Sequence, residues 1–157
     1  MRNIPLKQRA VDVGYYRDAL CEAMTMLGED ARTVFIGQAV ARKGTAMTDT
    51  FSGVPRDRLL EMPVAEELQL GMAIGMSLAG LIPVCVYPRW NFLLLATNQL
   101  VNHLDKLPLM GQPVKVIVRV GVGSVRPLDP WHQHRGNFAA VFRAMLETVA
   151  VLDLIEP

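Results

Sequence analysis

The side chains best placed for chemistry are two adjacent carboxylates, Glu66 and Glu67, in the segment Met62-Pro-Val-Ala-Glu-Glu-Leu-Gln-Leu-Gly-Met-Ala-Ile-Gly. A carboxylate is favoured at a helix N-terminus because the helix dipole stabilises negative charge there. That preference alone explains most such pairs. Here the helix that follows is apolar on nearly every side, so it is expected to be buried on nearly every side. A carboxylate leading into it is then partly buried, and burial moves the proton affinity of such groups toward the range used in proton transfer. Histidines come second. His132 and His134 flank Gln133, with Asp129 nearby. Alternate spacing sets both rings on one side of an extended segment, yet two histidines without a third local ligand make a poor metal site. A loop histidine acting as general acid or base fits better, because imidazole titrates near neutrality. His103, beside Asn102, reads as a helix-surface residue. The turn Gly121-Val-Gly-Ser resembles a phosphate-binding turn but lacks the third glycine and the helix start of a dinucleotide fingerprint. That absence disfavours a nicotinamide-dependent oxidoreductase.

These groups must be held by the elements around them. Apolar residues at 16, 19, 20, 23, 24 and 27 predict a helix over 16–27, ended by Gly28. Thr33-Val-Phe-Ile, stopped by Gly37, predicts a buried strand. Residues 38–55 mix Gly, Thr, Lys and Asp without a period and read as a long irregular loop, a type that often carries function. An edge strand at 58–62, the apolar helix at 65–79 and a strand at 82–87 follow. Asn91 is the expected N-cap of a helix over 92–106. A strand at 114–120, a Gly- and Pro-rich loop over 121–136, a helix at 138–146 and a last strand at 149–155 complete the chain. Strands alternating with helices, without hairpin turns, mean βαβ units. The fold class is therefore α/β, a doubly wound and mostly parallel sheet with helices on both faces. Ligands are expected beyond the carboxyl ends of its strands.

Composition narrows the function. The 157 residues carry 16 Lys and Arg against 15 Asp and Glu, a net charge of +1, which leaves no electrostatic footprint for nucleic acid or an anionic membrane. Length favours one domain across 1–157, with an extended lead at 1–15. The charge-free run over 70–87 approaches the length of a membrane span. Its Gly71, Gly75, Gly80 and Pro83 instead punctuate a buried helix, a turn and a strand. Cys21 and Cys85 read as buried thiols of a cytoplasmic protein. At 51% hydrophobic and 20% charged, the chain is expected to cover part of its surface with a partner. Gly71 and Gly75, four residues apart, form a smooth patch where a second helix can approach.

Pro63-Val-Ala-Glu66, Gly71-Met-Ala-Ile-Gly75 and Ala79-Gly80-Leu81-Ile-Pro83-Val, in that order, closely resemble the pyrimidine-binding domain of thiamine-diphosphate enzymes. The nearest type is the beta subunit of 2-oxo-acid dehydrogenases, within the wider transketolase group. The match continues through Trp90-Asn91-Phe92, Asn98-Gln99-Leu100-Val101-Asn102 and Lys106, and covers most of the chain from about Tyr16 onward. The resemblance implies that Glu66 hydrogen-bonds the cofactor's aminopyrimidine ring and so helps to activate it. It implies that Phe92 stacks on that ring and that His132 is an active-site histidine near the substrate, with His134 as the alternative. The chemistry implied is 2-oxo-acid decarboxylation or ketol transfer.

Departures from the pattern inform the partner. Gln38 follows Gly37 where the dehydrogenase type has a glutamate, so this contact to the cofactor site is neutral here. The turn Met110-Gly111-Gln112-Pro113 is shorter than the family's loop. The chain has no Gly-Asp-Gly followed by Asn, the family's magnesium and diphosphate site. That half is expected on a separate, alpha-type chain, with the active form a hetero-oligomer or homo-oligomer assembled through the helix bearing Gly71 and Gly75. The carboxyl-terminal domain of such beta subunits is missing too, since the sequence stops at Pro157 where the resemblance implies that the family continues. The alternative is a non-catalytic assembly domain that keeps the fold.

Overall fold

Four short β-branched and aromatic runs build one parallel sheet in the computed structural model, which describes residues 13–123 and 129–155. They are β1 (Thr33–Gly37), β2 (Leu59–Glu61), β3 (Ile82–Tyr87) and β4 (Ile117–Val120), in the order β2-β1-β3-β4. From β1 the chain winds outward to β2, then crosses back over β1 to β3 and on to β4. The winding therefore reverses between β1 and β3, and the crevice at their carboxyl ends is where such sheets place ligands.

Successive strand residues point to opposite faces, and both faces are covered. Phe35, Val84 and Val86 pack with Val40, Phe51 and Met24 of α1 (Val13–Glu29). Ile36, Cys85 and Tyr87 face α3 (Glu66–Leu78), α4 (Trp90–Leu95) and α6 (Ala139–Met145), where Leu70, Ala73, Leu93 and Phe142 complete the layer. Two short helices, α2 (Ala46–Asp49) and α5 (Trp131–His134), lie in the loops after β1 and β4. The sheet is doubly wound, as the alternation of elements predicts.

The run over 70–87 divides as its glycines imply. Helix α3 ends in a Schellman turn: Leu81 N donates to Met76 O and Gly80 N to Ser77 O, both at 3.0 Å, with Gly80 at φ 93°. Strand β3 then begins at Ile82. Among the described residues no helix is long and apolar enough to cross a membrane. Gly37 closes β1 at φ 153°, and a Cβ there would strike the backbone carbonyl of Val86 in β3. Gly37→Ala is therefore expected to cost roughly 3 kcal/mol or more in urea unfolding, since backbone overlap adds to an unfavourable φ. A loss under about 0.5 kcal/mol would contradict this close approach.

Several expectations are corrected. Of the lead at 1–15, residues 1–12 lie outside the described residues, and α1 already begins at Val13. The loop at 38–55 contains α2, capped by Thr45, whose side chain accepts from Thr48 N. The helix expected over 92–106 is split: α4 starts at Trp90 and stops at Leu95, and Gln99–Leu104 winds as a π-helix closed by Asp105 N donating to Leu100 O at 2.9 Å. Asn91 is not the N-cap; Arg89 holds that position, and the Asn91 amide is bonded elsewhere. Strand β4 begins later than 114 because Lys115 N donates to Ser77 Oγ at 2.6 Å rather than to a strand. No strand forms over 149–155. There the carbonyls of Val151 and Leu154 accept from the side chains of Arg143 and Tyr16 rather than from β4. In the loop over 121–136, residues 124–128 lie outside the described residues.

Helix α3 is not buried on nearly every side. Glu66, Gln69, Leu70, Ala73, Ile74 and Ser77 form one buried face, while Leu68 and Leu78 remain 55% and 50% exposed. Of the two thiols, only Cys85 is buried, and burial pushes its pKa up to about 11; Cys21 is half-buried.

Candidate active site

Glu66 opens α3, whose first turn is held against the end of β3. Tyr87 Oη donates to the Glu66 backbone carbonyl at 2.9 Å, and Gln69 Nε2 donates to Val86 O at 2.9 Å. Burial pushes the Tyr87 phenol far above its ordinary range, so it remains a donor. These bonds fix the helix entrance from the backbone side and leave the Glu66 side chain to the crevice. That side chain is 6% exposed. Gln38, the first residue after β1, donates from Nε2 to Glu66 Oε1 at 3.2 Å. Among the described residues no other group bonds to this carboxylate, and none donates to Oε2. Sequence reasoning named Gln38 and Glu66 separately, and the structure brings them together.

The backbone that follows Gln38 is held by a carboxylate that sequence reasoning did not single out. Glu61, at the end of β2, accepts the backbone N–H groups of Ala39, Val40, Ala41 and Arg42 at 2.8, 2.9, 2.7 and 3.1 Å. Desolvation opposes its ionisation, but these four donors outweigh it and hold its pKa below the ordinary value. Its stabilising effect is thus present above the usual glutamate range and lost as pH falls below it. Ala39 sits at φ 60° within this cradle. The only sequence signal for it is an acidic residue at a strand end, too common to be informative.

A second group of candidate side chains lies on α4 and α5. Trp90 is buried, stacked on Phe142 of α6 at 5.3 Å and edge-on to Phe138 at 6.4 Å, which anchors the first turn of α4. Beside it, Phe92 is half-buried and stacks on the imidazole of His134, with centroids 5.6 Å apart and planes 24° from parallel. His134 Nδ1 also lies 2.8 Å from Asn91 Oδ1. His132 is exposed and makes neither contact, so it is His134 that joins the aromatic wall. The α5 turn is fixed by Asp129, which accepts from Trp131 N at 2.9 Å and pairs with Arg135. Among the described residues no cluster of three or more His, Cys, Asp or Glu is placed to hold a metal ion.

Glu66 thus presents a buried carboxylate with an amide beside it at the carboxyl ends of β1 and β3, and Phe92 with His134 forms an aromatic–imidazole contact between α4 and α5. Residues 15–148 match the family described as transketolase, pyrimidine binding domain. The chain belongs to that family. As a transketolase pyrimidine-binding domain it is similar to pyruvate dehydrogenase E1 component beta subunits. It is 34% identical over 131 residues to the mitochondrial protein of Chaetomium thermophilum, covering 79% of this chain and 34% of that one. With the protein of Gracilaria tenuistipitata var. liui the identity is 33% over 135 residues, covering 82% and 41%. With the human mitochondrial protein it is 29% over 131 residues, covering 79% and 36%. The chain therefore spans roughly a third to two-fifths of the length of these relatives.

Proposed function

We propose that this chain is the pyrimidine-binding part of a thiamine-diphosphate-dependent enzyme of the pyruvate dehydrogenase E1 type, acting on a 2-oxo acid. Ketose transfer is the related chemistry of the wider group. The observation that carries the proposal is the buried Glu66 carboxylate, engaged by Gln38 at Oε1 and with no donor at Oε2 among the described residues. This donor set fits an aminopyrimidine. Glu66 would share a proton with a ring nitrogen, Gln38 would keep the carboxylate oriented, and Phe92 would offer a flat face to the ring. When bound, thiamine diphosphate supplies a carbon nucleophile and the electron sink for decarboxylation. Glu66 is 6% exposed, so a proton shared at its carboxylate would count for more than in bulk solvent.

A diphosphate-binding alpha-type chain supplies magnesium and the remaining half of the site in this proposal. The open side of α3 supports it. A Cβ placed at Gly71 or Gly75 would meet nothing within 4 Å. An apolar groove of about 260 Å³, lined in part by Ile74, Leu78, Leu107 and Met110, runs beside them. The free thiols Cys21 and Cys85 favour a reducing compartment such as the cytoplasm. The test is reconstitution with a candidate partner bearing Gly-Asp-Gly and Asn, followed by titration with thiamine diphosphate and magnesium. The assembled pair is expected to bind the cofactor and decarboxylate a 2-oxo acid. An assembled pair that binds no thiamine diphosphate would overturn the proposal and favour a non-catalytic assembly role.

A further inference from the structure

Asn91 occupies the first turn of α4, a position where an asparagine side chain ordinarily bonds its own backbone or caps the helix. Here it does neither in the expected way. The cap position belongs to Arg89, and the Asn91 amide reaches 43 residues along the chain to His134. The contact is 2.8 Å, from imidazole Nδ1 to amide Oδ1. An amide oxygen accepts and cannot donate, so the ring nitrogen facing it carries the hydrogen. Such a bond selects one tautomer of a neutral imidazole.

We propose that Asn91 is a positioning residue, which fixes His134 as the Nδ1–H tautomer and leaves Nε2 as the nitrogen that accepts a proton. Three further contacts keep the arrangement rigid. Phe92 covers one face of the imidazole, Trp90 anchors the same helical turn in the core, and the Asp129–Arg135 pair closes the α5 turn. The tautomer assignment stands on these contacts alone. Only the identity of the proton donor, a substrate held at a thiamine-diphosphate site, rests on the function proposed above.

Nitrogen-15 NMR of the full chain, at a pH where His134 is neutral, tests the assignment. Nδ1 is expected to give the protonated, pyrrole-type signal and Nε2 the unprotonated one, the reverse of the form histidine prefers in water. Asn91→Leu is expected to shift the tautomer ratio roughly fivefold toward Nε2–H, the population equivalent of one hydrogen bond. Asn91→Asp, which keeps an acceptor oxygen, is expected to retain Nδ1–H. A wild-type spectrum showing Nε2–H overturns the assignment, whether or not Asn91→Leu folds; so does an unchanged ratio in a folded Asn91→Leu. In the complete assembly, Asn91→Leu is expected to lower kcat about fivefold with KM unchanged, and Asn91→Asp to recover it. Unchanged kcat overturns the positioning role. Failure of the wild-type assembly to bind thiamine diphosphate would instead overturn the cofactor assignment and leave the tautomer measurement intact.

Discussion

Glu66→Gln is expected to leave the fold intact and to cut turnover of the complete assembly by about 10²- to 10⁴-fold, the range for loss of a positioned acid–base group. The two halves of this expectation have separate causes. Stability is spared because the contacts that hold the first turn of α3 do not use the Glu66 carboxylate. Tyr87 bonds the Glu66 backbone carbonyl, and Gln69 bonds Val86. The glutamine is nearly isosteric, keeps an oxygen for the Gln38 amide, and gives up only a dipole-favoured charge, worth about 0.3–1 kcal/mol. Activity is lost because an amide cannot take a shared proton from a ring nitrogen as a carboxylate can. Glu67, the exposed neighbour on the same turn, is the control. Glu67→Gln removes the same charge from the same helix end and is expected to leave turnover within about twofold, as surface substitutions usually do. Thermal unfolding and turnover measured together separate the cases. Full activity in Glu66→Gln would end the catalytic assignment, and a collapsed fold would make Glu66 a structural residue.

The difference between Glu66 and its surroundings shows where sequence reasoning succeeds. Its signal is local: an apolar helix must bury at least one face, and Glu66 opens the face that is buried, while Glu67 and Leu68 remain exposed. The sheet was legible for the same reason, since β-branched runs stopped by glycine have few alternatives to a buried strand. What failed depended on partners distant in the chain. Asn91 has the residue type of an N-cap, and nothing near it shows that its amide bonds residue 134 instead. The apolar run after Val149 has the composition of a strand, but Arg143 and Tyr16 engage two of its carbonyls, and β4 remains an edge. The turn that sets His134, and not His132, against Phe92 is a four-residue helix in a Gly- and Pro-rich loop, which no periodicity announces. The site's polar support was therefore less legible than its apolar frame. Hydrophobic pattern is periodic, whereas a single hydrogen bond between distant residues leaves no pattern.

Asp105 is the extreme case of that hidden support, and Asp105→Ala is expected to be the most destabilising single change considered. The side chain is fully buried at the end of the π-helical segment. It accepts from the backbone N–H groups of Glu147, Thr148 and Val149 at 3.0, 2.8 and 3.0 Å, and from Lys106 Nζ at 2.8 Å. Truncation strands three part-buried backbone donors in a site built for one carboxylate, and each donor left unsatisfied costs up to about 1–3 kcal/mol. Partial relaxation leaves an expected loss of about 3–5 kcal/mol, a large part of the 5–15 kcal/mol typical of a domain. Asp105→Asn retains one acceptor oxygen and is expected to lose about half as much. The loss reaches the site because the anchored segment follows α6, whose Phe142 holds Trp90 beside Phe92. Acid distinguishes this account from simple cavity formation. Desolvation would raise the Asp105 pKa, but Lys106 and the backbone donors outweigh it and hold the folded carboxyl well below the usual range. Its stabilisation is therefore complete above the unfolded value of about 3.9 and is lost as pH falls below it toward the folded value. Urea unfolding between pH 7 and 3 should show wild type losing stability over the acid end of that range. Asp105→Asn should lose less of it, because its side chain does not titrate. Parallel acid profiles for the two proteins would assign the stabilisation to packing instead of to the carboxylate.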